Sequence, residues 1–162
     1  MPFTFRKYRS HDLPAMLEIW NDIIEEGVSF PAEKPLSPAE AEVYFASQTA
    51  TVCAFEGETL LGVYILHPNN VGRCSHIANA SYGVSKDARG RGLGRRLVEH
   101  SLKTARECGF CGLQFNAVVA ANLAAIHLYE SIGFQRIGTV EGGYRLPDGS
   151  YTDLHLFFYP LA

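Results

Sequence analysis

The chain has 162 residues, 47% hydrophobic and 12% aromatic, enough for one compact domain over residues 1–162 and too few for a second. Its net charge of −3 gives no general attraction to nucleic acid or to an anionic membrane, so the expected partner is a small molecule. No apolar run approaches the roughly 18 residues of a membrane span, and the first residues lack a signal-peptide core; a cytoplasmic protein is expected.

Phe3, Phe5 and Tyr8 among polar residues predict a first strand, closed by Ser10-His11-Asp12, where Ser10 or Asp12 could cap a helix. Leu13, Met16, Leu17, Trp20, Ile23 and Ile24 recur at helical spacing and predict a helix over 11–26, stopped by Gly27. Residues 28–36, with two prolines, read as a loop. Ser37-Pro38-Ala39-Glu40 then combines a cap, a first-turn proline and a capping-box glutamate, opening a second helix to about Ser47.

Residues 51–55 and 60–66 predict a hairpin turning through Glu56-Gly57-Glu58-Thr59, with a loop over 67–73. A strand over 75–84 runs into Arg89-Gly90-Arg91-Gly92-Leu93-Gly94. The long helix after it carries Leu97, Val98, Ser101, Leu102 and Ala105 on one face and charges on the other. A strand over 112–118, a helix over 122–132 and two strands within 134–159, turning at Pro147-Asp148-Gly149-Ser150, complete the order β α α β β β α β α β β. Hairpins mixed with single crossovers imply an α/β (mixed α+β) domain: a mixed central sheet of about seven strands with helices on both faces.

Cys108-Gly-Phe-Cys111 has redox or zinc spacing. Its first thiol ends a helix instead of starting one, and no second pair completes a metal site, so these cysteines are expected to be buried small apolar residues and no metal is expected.

The turn at 89–94 is the sharpest local signal. Glycines there let main-chain N–H groups approach an anion, and the helix start adds unpaired donors and the positive end of its dipole. A P-loop would need Gly-Lys-Ser/Thr, which is missing. A dinucleotide fold would need a third glycine where Arg95 or Leu97 stands, and an acidic residue near Phe115-Asn116. Tight packing of the glycines, or a solvated arginine patch at 89, 91, 95 and 96, is the plainer alternative. Later in the chain, Asn122, Ala125, Ile126 and Tyr129 share one helix face, and Gly133-Phe134 ends that helix and restarts a strand.

Arg89-x-x-Gly92-x-Gly94, followed by Asn122-x-x-Ala125-Ile126-x-Leu128-Tyr129 and Gly133-Phe134, resembles the signature of the GNAT N-acetyltransferases. Within that family, the segment 30–45 and the strand before the turn look closest to the phosphinothricin and amino-acid acetyltransferase branch. Arg73–Ala80, Phe115-Asn116 and Gly142–Asp153 are also similar to acetyltransferases of proline analogues.

The resemblance implies an enzyme that moves an acetyl group from acetyl-coenzyme A to the amine of a small molecule, an amino acid or its analogue. It implies that Tyr82, Gly83 and Val84 pair with the pantetheine arm, and that Arg89, Gly90, Arg91, Gly92, Leu93, Gly94 and Arg95 hold the diphosphate, with Asn122 also on the cofactor side. Tyr129 is implied as general acid. Where the phosphinothricin branch carries a glutamate base, this chain has Asn79, which cannot accept a proton. A water held by Asn79, Ser81 or His76 is one substitute, and a low-pKa or secondary amine substrate is another. Asn116 is a further candidate for gripping the substrate.

Asn79 and Ser81 share one strand face and His76 lies on the other, so a single water cannot serve all three without a bulge. The loop 28–36 and the hairpin 142–155 are expected to line the acceptor side. Phe157, Phe158 and Tyr159 could join a homodimer. A non-catalytic acyl-coenzyme A sensor and a protein or peptide acetyltransferase stay open as alternatives.

Overall fold

The structure, a computed structural model, describes residues 2–162. The strands are β1 (Thr4–Lys7), β2 (Ala50–Glu56), β3 (Thr59–Pro68), β4 (Ile77–Val84), β5 (Gly112–Val119), β6 (Gln135–Arg145) and β7 (Tyr151–Pro160). The helices are α1 (Leu13–Glu26), α2 (Pro38–Ala46), α3 (Leu93–Glu107) and α4 (Leu123–Ile132). The strands form one seven-stranded sheet in the order β1-β2-β3-β4-β5-β7-β6, antiparallel throughout except for the parallel pair β4–β5.

Strand alternation divides the core in two. Val52, Ala54, Tyr64, Leu66, Ala78 and Ala80 face α3 and α4, whereas Cys53, Phe55, Val63 and Ile65 face α1 and α2. Gly83 lets α1 close onto β4, because a Cβ there would come within 3.1 Å of Ile23 and 3.2 Å of Ile19. Gly27 ends α1 at φ 67°, a left-handed conformation that suits glycine. Ser37 and Glu40 form the expected reciprocal capping box. No helix among the described residues is long and apolar enough to cross a membrane.

Four local expectations are corrected. A 3-10 turn (Ser10–Asp12) precedes α1, and Asp12 does not cap that helix. Its carboxylate turns back to accept from Arg9 N (2.7 Å) and from both terminal nitrogens of Arg6 (2.7 and 3.1 Å), which holds it below the usual carboxylate range. β3 runs through Pro68, although Pro68, Asn69, Asn70 and Gly72 had assigned residues 67–73 to a loop. Cys108 and Cys111 are exposed, since one lies just past the end of α3 and the other just ahead of β5; only Cys53 is buried. Phe157 is fully buried in the core, so it cannot form part of a dimer surface.

Candidate active site

β4 and β5 pair only at Ile77–Gly112 and Ala78–Leu113. Beyond those two pairs the strands part, and the main-chain groups along their facing edges no longer bond across the gap. The gap forms a cleft of about 860 Å³ lined by Asn79, Ser81, Tyr82 and Val84 of β4, by Phe115, Asn116 and Ala117 of β5, and by Asn122, Ala125 and Tyr129 around α4. Glu26, Phe30 and Pro31 close it from the side of α1 and its following loop, and Arg89 also lines it. A β-bulge between Phe115 and Val118 adds one residue to β5 against β7, placing Asn116 and Ala117 where the strand bends at the cleft.

The glycine turn stands at the start of α3. Gly90 (φ 75°) and Gly92 (φ 79°) are left-handed, and a Cβ at either would meet nothing within 4 Å, so the main chain there is open to a ligand. Gly92 is the N-cap, and Arg96 N donates to its carbonyl at 3.3 Å; the N–H groups ahead of Arg96 are those a helix leaves without internal partners. The turn's arginines are engaged sideways: Arg89 with Glu26 (2.5 Å), Arg91 with Glu56, and Arg95 with Ser131 Oγ (3.0 Å). Among residues 89–95, Arg89 alone lines the cleft described above.

Tyr129 projects from α4 into the cleft. Its ring packs on Phe115 (4.6 Å between centroids), Phe134 (5.7 Å) and Phe157 (6.0 Å). Burial pushes its phenol up to about 12. Among the described residues its hydroxyl has no hydrogen-bond partner. Tyr82 contrasts with it, because its hydroxyl is tied to Ser101 Oγ (2.7 Å) inside the core, where burial holds its pKa well above the ordinary phenol value. Gly83 faces α1, and Asn122 is the N-cap of α4, its Oδ1 accepting from Ala125 N at 3.3 Å.

An amide cluster bridges the opening. Asn69 Oδ1 accepts from Asn79 Nδ2 (3.1 Å) and from Asn116 Nδ2 (2.6 Å), while Asn116 Oδ1 accepts from Gln114 Nε2 (2.9 Å). Asn69 was not legible as a site residue: nothing in its local sequence shows that β4 and β5 diverge beside it. Glu26, the last residue of α1, was likewise not anticipated at the cleft. His76 is exposed, precedes β4 at the end where β4 and β5 are joined, and does not reach the cleft. Glu26, Tyr82, Arg89 and Tyr129 are the ionisable side chains among the described lining residues.

Residues 13–134 match the Acetyltransferase (GNAT) family. N-acetyltransferase aca1 of Schizosaccharomyces pombe is 33% identical over 154 residues, covering 84% of this chain and 74% of the relative. A GCN5-related N-acetyltransferase from Kribbella flavida has a TM-score of 0.92 at 34% identity, with 98% of each chain covered. A phosphinothricin acetyltransferase from Sinorhizobium meliloti, solved in complex with AcCoA, has a TM-score of 0.92 at 24% identity over all of this chain and 90% of that one, a likeness of fold.

Proposed function

The chain belongs to the GNAT acetyltransferase family and is an acetyl-coenzyme A dependent N-acetyltransferase, and from that premise we propose that it acetylates the amine of a small molecule, an amino acid or its analogue, in the cleft between β4 and β5. In this reading the whole chain works as one domain. The free N–H groups at the turn of residues 90–95 receive the diphosphate, with Arg89 beside them, and the unpaired edge of β4 at Tyr82, Gly83 and Val84 pairs with the pantetheine arm. For Tyr82 and Gly83 the role is a main-chain one, since their side-chain positions face the core and α1. The positive φ of Gly90 and Gly92 and the open space beside them support the fit.

Bound acetyl-coenzyme A supplies an acetyl group activated as a thioester. A main-chain N–H on the cleft edge of β4 donates to the carbonyl oxygen as it gains negative charge. Tyr129 acts as general acid toward the departing sulfur. A phenol near 12 stays protonated at every working pH, and exclusion of water from the cleft raises the leaving thiol in the same direction. The observation that carries this role is the unpartnered Tyr129 hydroxyl on a ring fixed by three aromatic neighbours.

The acceptor must attack as the neutral amine, which for an alkyl amine of pKa about 10 costs roughly 4 kcal/mol at pH 7. Asn79 cannot take that proton, and Glu26 is held by Arg89. Asn79, Ser81 and Asn116 instead hold the acceptor and a water that carries the proton away. His76 has no part in this reading, because it does not line the cleft.

The test is thiol release from acetyl-coenzyme A with a panel of phosphinothricin, methionine sulfone, azetidine-2-carboxylate, polyamines and a short peptide. Amine-dependent release with the small amino-acid acceptors supports the proposal. Release with the peptide alone, or binding of acetyl-coenzyme A without turnover of any amine, overturns it.

A further inference from the structure

A second cavity, of about 940 Å³, adjoins the cleft and shares Phe30, Pro31 and Ala117 with its lining. It lies between the loop after α1 and the hairpin of β6 and β7, and its walls are held in place. Pro147 rests on Gly27 so closely that a Cβ there would meet Pro147 Cγ at 2.7 Å, and the Tyr144 hydroxyl donates to Phe30 O at 2.7 Å. The Phe30 ring packs on Trp20, with 4.6 Å between centroids.

This cavity lies on the same side of the sheet as the groups that seat the acceptor. Gly83 faces α1, and strand alternation puts Ser81 and Asn79 on that face with it. Phe157 belongs to the layer under α3 and α4, so Leu154, three residues away on β7, faces the α1 side, and it lines the second cavity. Ala117, common to both linings, follows Asn116 directly, a Cα step of about 3.8 Å. Ile24, Phe30, Leu146 and Leu154 make the second lining largely apolar. Its charged members are exposed: Arg145 is paired with Glu33 at 2.6 Å, and Glu25 has no ion-pair partner among the described residues.

Resting on the transferase reading above, we infer that the second cavity is the side-chain pocket of the acceptor and selects α-amino acids with extended, uncharged side chains. The amine and carboxylate, carried on one carbon, stay together in the cleft at Asn79, Ser81 and Asn116. The side chain leaves past Ala117, beside Phe30 and Pro31. A linear side chain of four carbons reaches roughly 5 Å from its Cα, farther than the step from Asn116 to Ala117. Each methylene that enters exchanges water for apolar walls, and the unpaired Glu25 carboxylate repels a side chain that carries negative charge.

The experiment is steady-state thiol release by the full chain with alanine, 2-aminobutyrate, norvaline and norleucine, for wild type, Ala32→Phe and Leu146→Trp. In wild type, acceptor kcat/KM should rise about threefold per added methylene, the gain for burying one CH₂. Ala32 adds bulk from the loop and Leu146 from the hairpin, and neither lines the cleft. Filling the pocket should lower the ratio of norleucine to alanine kcat/KM by about tenfold, as three methylenes lose their site. Because that ratio is taken within one protein, a partly folded preparation does not distort it, and the fall in either variant supports the inference. A second arm compares methionine sulfone with phosphinothricin, whose side chains match in shape and differ by one negative charge. Methionine sulfone should be favoured by about threefold or more, from repulsion of like charges near a surface, and about 1 M salt should narrow the gap. A flat series in wild type, an unchanged ratio in both variants, or a preference for phosphinothricin overturns the inference and leaves the transferase reading standing. Absence of turnover with any amine overturns both and is distinguishable on that ground.

Discussion

Replacing Tyr129 by phenylalanine separates chemistry from packing. The ring keeps its contacts with Phe115, Phe134 and Phe157, and the hydroxyl has no partner to lose among the described residues. Stability should therefore stay within about 0.5 kcal/mol of wild type in urea unfolding. Removal of a general acid lowers kcat by tenfold or more, and about 10²-fold is typical; tenfold corresponds to about 1.4 kcal/mol in the barrier. KM for acetyl-coenzyme A should not change. Tyr82→Phe is the matched control, since it deletes a hydroxyl that is bonded to Ser101 at 2.7 Å in the core. It should cost about 1 kcal/mol of stability with turnover near wild type. The assays are thiol release for kcat and urea titration for stability, run on both variants. Wild-type turnover by a well-folded Tyr129→Phe protein would refute the assignment, as would two variants with the same profile.

Two further predictions concern pH. With Tyr129 raised to about 12, its loss of a proton cannot limit activity below about pH 11, so kcat/KM should rise with pH along the acceptor's own titration and show no falling limb up to pH 10. Exchanging the acceptor for one of lower amine pKa should move the rising limb by the same amount; a limb that stays put would reveal an enzyme base this account lacks. Asp12 concerns stability. Its folded pKa lies below the unfolded value, so its contribution is complete above about pH 4 and is lost as pH falls through the folded value. Asp12→Asn should lose about 2 kcal/mol at pH 7, as for hydrogen bonds to a buried charge, and the loss should shrink in acid. An equal loss at pH 7 and pH 3 would contradict the linkage.

Much of the frame was legible because it is local. Ser37 and Glu40, three residues apart, set the start of α2, Gly27 set the end of α1, and Gly90 and Gly92 marked the turn before α3 by needing left-handed backbone. The seven strands followed from alternation and turn chemistry. What was not legible depends on how strands sit beside one another. No local pattern states that β4 and β5 pair at two positions and then part, so neither the width of the cleft nor the reach of Asn69 to Asn79 and Asn116 could be read. The bulge at Asn116 and Ala117 is likewise a property of the β5–β7 register. His76 failed as a site residue because only placement along β4 distinguishes the open end of the pair from the closed one. Phe157, next to half-buried Phe158 and Tyr159, could not be assigned to core or surface without knowing that β7 lies between β5 and β6.

The central claim is that open main-chain donors at the start of α3 hold the diphosphate of the acyl carrier. Calorimetric titration of acetyl-coenzyme A into wild type and Gly92→Ala tests it most directly. A Cβ at position 92 meets nothing within 4 Å, so alanine brings no clash with the protein. Its left-handed backbone costs about 1–2 kcal/mol of stability, while the methyl group occupies the space of the anion. The account predicts binding by wild type and affinity at least about tenfold weaker in the folded variant, as for one charge-assisted hydrogen bond lost. Equal affinity in both proteins, or no binding by folded wild type, would contradict it.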